Sequence, residues 1–322
     1  MLCINSSSND PYYNIACEEY LLKRFHDDIF LLYRNSPSVI VGKHQNTLAE
    51  IDMQFVAKNG IRVVRRLSGG GAVYHDMGNL NFTFIKNGSE GKLVDFRGFT
   101  QPIVSALANI GLQAKFEGHN SLTINGKKIS GNAEHVFKSR VMHHGTLLFS
   151  TNLDHLSKIL YVDENRYSDK AVKSVRAIVT NISEHLTKSM TIESFADNIW
   201  DYVMKGNANA KEYVLSKDDH AQIQGLYKEK YTSWEWNFGY SPKYSLIRKI
   251  KTSSGCLSIS MEVDKGKISS VDIANSDLPN ILVTSIKKSL MGCNHEVNCL
   301  KQALQKSELD AELKKAIWEG LL

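Results

Sequence analysis

Cysteine is scarce and shows no pairing pattern. The five thiols, Cys3, Cys17, Cys256, Cys293 and Cys299, are scattered, odd in number and form no CxxC pair. This excludes a disulfide framework and a zinc ribbon, and fits reduced thiols in a cytosol. No apolar run approaches the ~20 residues of a membrane span, so no membrane association is expected. The opening stretch MLCINSSSNDPYYN lacks the basic-then-apolar order of a secretory signal, and a cytoplasmic location is expected. Although the formal net charge is +5, there is no dense Lys/Arg block, and nucleic acid is not an expected partner. The mild positive charge suits acidic partners or anionic substrates, or simply a solvated surface. Internal repeats and low-complexity tracts are missing, as are the P-loop, the GxGxxG dinucleotide turn, HExxH and GxSxG.

What remains is an ordinary globular composition, 42% apolar and 23% charged over 322 residues. That length suggests about two domains and a core that needs no metal or disulfide. Asp10 is a candidate N-cap, with Pro11 at the first helical position, for a helix running through NIACEEYLLKRF. Short apolar runs (DIFLLYR, PSVIVGK) and β-rich or alternating runs (IRVVRRL, NLNFTFI, VMHHGTLLFS) read as strands. A helix from about Thr100 to Asn109 should end at Gly111, and further helices follow near Ile192–Met204 and Lys217–Glu229. Two alternating strands flank Asp264-Lys265-Gly266, and helices close the chain. Hairpins dominate and no βαβ series is present, so the expected class is α+β with a mainly antiparallel sheet. The expected domains are residues 1–246 and a small α+β unit at 247–322.

Two features carry chemistry. Ser68-Gly69-Gly70-Gly71 joins two strands, directly after Arg65-Arg66. Glycines let backbone N–H groups approach a ligand, and guanidinium groups beside such a nest suit phosphate or carboxylate. The same residues read equally as a plain turn flanked by solvated arginines. The second feature is SLTINGKKISG, where Asn125-Gly126 marks a type I′ hairpin. Pairing across it sets Thr123 opposite Lys128, Leu122 opposite Ile129, and Ser121 opposite Ser130. Leu122, Ile124 and Ile129 should then face the core, with Lys128 on the other face among Ser121, Thr123 and Ser130. An amine held there can touch both an acyl oxygen and a phosphate. A solvated lysine is the plainer reading. His143-His144 and His75-Asp76 read as acid–base groups or ligands, or as satisfied core histidines. Asp76 could meet Mg²⁺ through a phosphate.

Taken together, several segments resemble the A-type lipoate–protein ligases. They are Arg65-Arg66-Leu67-Ser68-Gly69-Gly70-Gly71-Ala72-Val73-Tyr74-His75-Asp76 with Gly78-Asn79, Asn125 through Ala133, His143-His144-Gly145-Thr146-Leu147-Leu148, KSVRAIVTNISE and WEWNFG. They occur in the family's order over most of the chain. The resemblance implies a class II synthetase-like catalytic domain of the biotinyl/lipoyl ligase kind, plus a C-terminal accessory domain. It implies that lipoate (or octanoate) and Mg²⁺-ATP give an acyl-adenylate. The acyl group then passes to a lysine of a lipoyl domain, in the E2 subunit of a 2-oxoacid dehydrogenase or in glycine-cleavage H protein. By position, Arg66, Gly71, Ala72, Val73, Tyr74 and Lys128 would bind ATP. Ser68, Gly70, His144 and Lys128 would bind lipoate, with Lys128 the catalytic residue, and Asp76 would be the metal ligand. The chain departs from the family at His119-Asn120-Ser121, where a carboxylate is commonly found, and at Ala177-Ile178, where one basic contact is missing and Arg176 remains. Two other functions compete: an ATP-independent lipoyl or octanoyl transferase of the same fold, and a non-catalytic lipoate carrier.

Overall fold

The structure is a computed structural model that describes residues 1–88, 93–160, 167–252, 255–274, 278–307 and 309–321. In chain order the elements are β1 (Leu2–Asn5), α1 (Pro11–Arg24), β2 (Ile29–Tyr33), β3 (Ser38–Val41), α2 (Thr47–Glu50), α3 (Met53–Lys58), β4 (Arg62–Arg65), β5 (Val73–His75) and β6 (Asn79–Asn87). They continue with α4 (Phe96–Asn109), β7 (Lys115–Glu117), β8 (Ser121–Ile124), β9 (Lys127–Phe137), β10 (Arg140–Leu148), α5 (Leu153–Ile159), β11 (Tyr167–Asp169), α6 (Ile192–Lys205) and β12 (Lys211–Glu212). The last are α7 (Lys217–Leu226), β13 (Tyr244–Thr252), β14 (Gly255–Asp264), β15 (Lys267–Ala274), α8 (Asn280–Leu290), α9 (Val297–Gln305) and α10 (Ala311–Gly320).

The chain folds as two compact units. The first comprises Met1–Lys43, Ile61–Ser157 and Ser174–Thr232. Its main sheet has eight strands in the order β12-β1-β2-β6-β10-β9-β8-β7. Pairing is antiparallel from β2 to β7 and parallel only at the β12-β1-β2 edge. Strand alternation sorts its two faces. Phe30, Leu32, Leu80, Phe82, Phe84 and Leu147 pack with α4 (Phe99, Ile103, Leu107) and α6 (Phe195, Ile199, Val203) in one apolar core. Tyr33, Thr83 and His144 carry the polar atoms that meet α1. That helix starts at Asp10, whose carboxylate accepts from the Tyr12 and Tyr13 N–H groups, as the sequence predicts. A smaller sheet, β4-β3-β5, carries the triglycine turn between β4 and β5.

The second unit comprises His44–Gly60, Lys158–Lys173 and Ser233–Leu322. Its sheet runs β11-β13-β14-β15. Leu246, Leu257, Ile259, Met261 and Val263 pack with Ile286, Leu290, Leu300, Leu304 and Ile317 of the closing helices, and Leu48 and Tyr167 join that core. The architecture is therefore mixed α+β with a mainly antiparallel large sheet. A cut at residue 246 follows chain order; the second compact unit also draws in two earlier segments.

The anticipated Asn125-Gly126 turn has the required backbone, and the link between the strands flanking Asp264-Lys265-Gly266 shares it. Asn125 and Gly126 sit at φ 51° and 73°, and Lys265 and Gly266 at 49° and 73°. Two positive φ values in succession are the type I′ signature.

Candidate active site

The triglycine turn is shaped by Arg66. This side chain is buried, and all three guanidinium nitrogens are engaged. Nε donates to Ser68 Oγ at 2.9 Å and Nη1 to the Ile40 carbonyl at 2.9 Å. Nη2 donates to the carbonyls of Gly69 at 2.6 Å and Gly71 at 2.8 Å. Each peptide unit is planar and trans, so a carbonyl drawn toward Arg66 turns the N–H of the next residue the opposite way. The N–H groups of Gly70 and Ala72 are therefore directed away from the guanidinium. That of Ala72 meets Ser174 Oγ at 2.8 Å, and that of Gly70 has no partner among the described residues. Gly70 has φ +85°, a backbone that favours glycine. Burial lowers the pKa of Arg66 to about 10, against the opposing pull of Glu18 and Tyr33, so it stays charged at neutral pH.

Gly42, at the end of β3, makes room for this turn. A Cβ there would lie 2.0 Å from the Gly70 carbonyl oxygen and 3.3 Å from Arg66 Nη2.

Lys128 follows the β8–β9 turn. Thr123 pairs with Lys128, and Ile124 with Lys127, as the sequence suggests. Beyond them a bulge shifts the register: Leu122 pairs with Ser130, and Ser121 with Gly131. Ile129 is the extra residue, fully buried in the apolar core. Ser130 is likewise fully buried, opposite Leu122, so the expected sharing of one face by Ser121, Thr123, Lys128 and Ser130 is corrected. A bulge sets two residues against one and interrupts strict alternation. The Lys128 side chain lies over Gly131, where a Cβ would be 3.3 Å from both Cε and Nζ. Its ammonium has no hydrogen bond or ion pair among the described residues, and burial pushes its pKa below the ordinary lysine value.

One strand-like segment connects the two features. The Lys128 N–H donates to the Ile178 carbonyl at 2.8 Å, and the Thr180 N–H donates to the Lys128 carbonyl at 3.1 Å. Four residues earlier, Ser174 caps the Ala72 N–H, and a Cβ on Gly71 would lie 2.8 Å from its Oγ. Four residues of chain span at most ~14 Å. The triglycine turn and Lys128 are thus tied to one short segment.

The histidines divide. His144 Nε2 lies 2.6 Å from Ser68 Oγ, and its Nδ1 lies 2.9 Å from Glu18. Burial alone would raise the Glu18 pKa, but His144, Thr83 and Tyr33, all hydrogen-bonded to the carboxylate, hold it below the usual value. His143 is a core residue, stacked on Phe99 at 5.2 Å and bonded to Glu134 and Asn132. His75 is buried with Nδ1 3.0 Å from Asn35, and burial lowers its pKa to about 3, so it stays neutral. Asp76 accepts the Gly78 N–H on one oxygen and the Asn152 N–H on the other, at 2.9 and 2.8 Å. Each carboxylate oxygen thus braces the turn and keeps a further lone pair. Among the described residues no cluster of three or more His, Cys, Asp or Glu could hold a metal ion.

Ser68, Gly70, Gly71, Ala72 and His144 are thus gathered around Arg66, with Lys128 reached through residues 174–180. Val73 and Tyr74 lie on β5, paired with Ile40 and Val39. Asp76 is held in its turn by the Gly78 and Asn152 N–H groups, close enough for its charge to act on Tyr74. Sequence reasoning missed Glu18, Gly42 and Ser174. For Gly42 a signal existed, a glycine closing an otherwise apolar strand run.

A backbone nest on a small sheet and a half-buried ammonium without a partner among the described residues suit a ligand that carries phosphate and carboxylate, the chemistry of an acyl-activating ligase. Residues 10–203 match the lipoyl protein ligase A/B catalytic domain and residues 241–322 match the bacterial lipoate protein ligase C-terminus. The chain belongs to this lipoate–protein ligase family. It is 40% identical over 305 residues to lipoate-protein ligase LplJ of Bacillus subtilis (strain 168), covering 94% of this chain and 92% of that one. It resembles the bipartite lipoate protein ligase of Thermoplasma acidophilum, solved in work on that ligase and its E2 lipoyl domain (27% identity, TM-score 0.64, 74% of this chain and 96% of that one). It also resembles a lipoate-protein ligase A bound with ATP (27% identity, TM-score 0.62, 74% and 98% of the two chains).

Proposed function

We propose that this protein is an ATP-dependent lipoate–protein ligase that forms lipoyl-adenylate and transfers the lipoyl group to a lysine of a lipoyl domain. The observation that carries this reading is the half-buried Lys128 ammonium, without an anionic partner among the described residues and tied to the triglycine turn by residues 174–180. A charge partly withdrawn from water without a counter-ion is held at a cost that an anionic ligand would offset.

The chemistry has two steps. A lipoate carboxylate oxygen attacks the α-phosphorus of ATP, the bond to the bridging oxygen breaks, and pyrophosphate leaves. The acceptor lysine's amine then attacks the acyl carbon, an amide forms, AMP leaves and the amine's proton is released. Lys128 would stabilise negative charge on the α-phosphate and the carboxylate in both steps, while the Gly70 N–H offers a donor from the turn. Serving as positioned donors, these groups bring the two anions together. Mg²⁺ would arrive with the nucleotide's phosphates, and we assign it no protein ligand.

E2 lipoyl domains are the proposed acceptors, and glycine-cleavage H protein is a further one. No helix among the described residues is long and apolar enough to cross a membrane, and a cytoplasmic enzyme is proposed. A thiol-dependent transferase is disfavoured. In the first unit Cys3 and Cys17 are both buried, and burial raises their pKa, that of Cys3 to about 11. A useful nucleophilic thiol needs the opposite shift.

Incubation with lipoate and Mg²⁺-ATP, without acceptor, should release pyrophosphate and leave a bound adenylate. Adding an apo lipoyl domain should then convert it to the lipoylated form, seen by mass. Acyl transfer from octanoyl-carrier protein without ATP, with no pyrophosphate release, would reverse this assignment.

A further inference from the structure

Behind the triglycine turn lies a chain of hydrogen bonds that runs from a cation to an anion. Ionised Glu18 can only accept, so the contact with His144 is donated by Nδ1–H. Where Nδ1 carries the ring's only proton, Nε2 accepts a hydrogen bond from the Ser68 hydroxyl, 2.6 Å away. Ser68 Oγ in turn accepts Arg66 Nε–H at 2.9 Å. In that tautomer every donor points toward Glu18: Arg66 to Ser68, Ser68 to His144, His144 to Glu18. Tyr33 O–H and Thr83 O–H close the carboxylate's shell from the neighbouring strands. All of these groups are nine-tenths or more buried. Hydrogen bonds aligned in one direction inside a low-dielectric interior polarise and strengthen one another.

We propose that Glu18 is a positioning residue for adenylation: through His144 and Ser68 it fixes the Arg66 fork, which sets the direction of the triglycine N–H groups. Arg66 donates to the turn's carbonyls at both Gly69 and Gly71. With Nε anchored on Ser68 and Nη1 on Ile40, the planar guanidinium keeps one orientation, and Nη2 holds both carbonyls. A Ser68 hydroxyl free to rotate would release one of those anchors. Glu18 sits on the first helix, far in sequence from the turn, and acts on the ligand only through others. The inference rests on the lipoyl-adenylation reading above.

The test uses full-length protein. In the wild type, ¹⁵N shifts of His144 should report Nδ1 protonated and Nε2 bare; a protonated Nε2 would overturn the proposal, whatever any variant does. Glu18→Gln keeps the volume but replaces an obligate acceptor with an amide that can donate. It should raise KM for ATP and lower kcat/KM for pyrophosphate release by about 10–100-fold, scaled from the range for removing one oriented donor. Ser68→Ala should cost a similar factor, and the double variant should be little worse than either single one. A folded Glu18→Gln protein with kcat/KM within twofold of wild type overturns the proposal, as does full additivity with Ser68→Ala. Absence of pyrophosphate release by the wild type would instead strike the ligase reading, while the tautomer measurement still judges the hydrogen-bond chain.

Discussion

Lys128 combines a half-buried amine with the lack of a counter-ion among the described residues, and this bears on both the rate and its pH dependence. Lys128→Ala should lower the rate of adenylation by about 10²–10³-fold, the usual range for removing one positioned electrostatic donor, with the melting temperature nearly unchanged. The pH dependence has a definite sign. Burial lowers the pKa of Lys128, so the ammonium form is complete below that lowered value and is lost as pH rises through it. Pyrophosphate release should therefore fall on the alkaline side before the ~10.4 expected of an exposed lysine. Lys128→Arg stays charged throughout, so its low residual rate should be flat there. Persistence of the alkaline limb in Lys128→Arg would assign it to another group. Gly42 supplies a further prediction. A methyl group 2.0 Å from the Gly70 carbonyl oxygen cannot be accommodated without moving the turn. Gly42→Ala should destabilise by about 1–3 kcal/mol, as overpacking does, and should raise KM for ATP in the protein that remains folded. Thermal melting and steady-state kinetics check the two halves separately.

At the scale of elements, helices α1 and α7 are joined through one carboxylate. Asp219 caps α7 through Ser216 and accepts hydrogen bonds from Tyr20 on α1 at 2.7 Å and from Tyr213 at 2.8 Å. Burial would raise its pKa, but these donors outweigh it and bring the value to about 2 from the ordinary 3.8. A depressed carboxylate pKa stabilises the fold above the unfolded value and loses that contribution as pH falls through the folded one. Asp219→Asn should therefore melt lower than wild type at neutral pH, and the gap should close between about pH 4 and pH 2. A gap that persists unchanged at pH 2 would mean that packing, not charge, carries the effect. The same scale explains what could be read in advance. The β8–β9 and β14–β15 turns were legible because Asn-Gly and Lys-Gly satisfy a local backbone demand for two positive φ values. The bulge at Ile129 was not, because it answers to how Ile129 packs in a core that no local pattern reveals. Glu18 was hidden for a related reason. Residues 13–22 of α1 are buried on every side, so no amphipathic period marks one polar residue as special. Ser174 lies in a segment with no helix or strand period at all, and only tertiary pairing identifies it.

For the whole molecule, the second unit's core decides what may be removed. That core is assembled from chain segments far apart in sequence: Leu48 comes from α2 and Tyr167 from β11, and both pack with the sheet β13-β14-β15 and the closing helices. Leu48 is 4% exposed and Tyr167 7%. The segments are also joined by hydrogen bonds. The Asp52 N–H meets the Ile159 carbonyl, and Thr47 Oγ1–H donates to the Asn237 carbonyl at 2.7 Å. Deleting residues 247–322 would strip β14, β15 and three helices from these segments while leaving them in the chain. Fully burying one large apolar side chain is worth about 1.5–3 kcal/mol, so exposing several together exceeds the margin of a typical domain. A chain ending at residue 246 should express mainly as aggregate, or melt well below the full-length protein and bind a hydrophobic dye. If it instead melted cooperatively at the full-length temperature, residues 44–60 and 158–173 would have to be stable without the core described for them. The boundary would then fall where chain order places it.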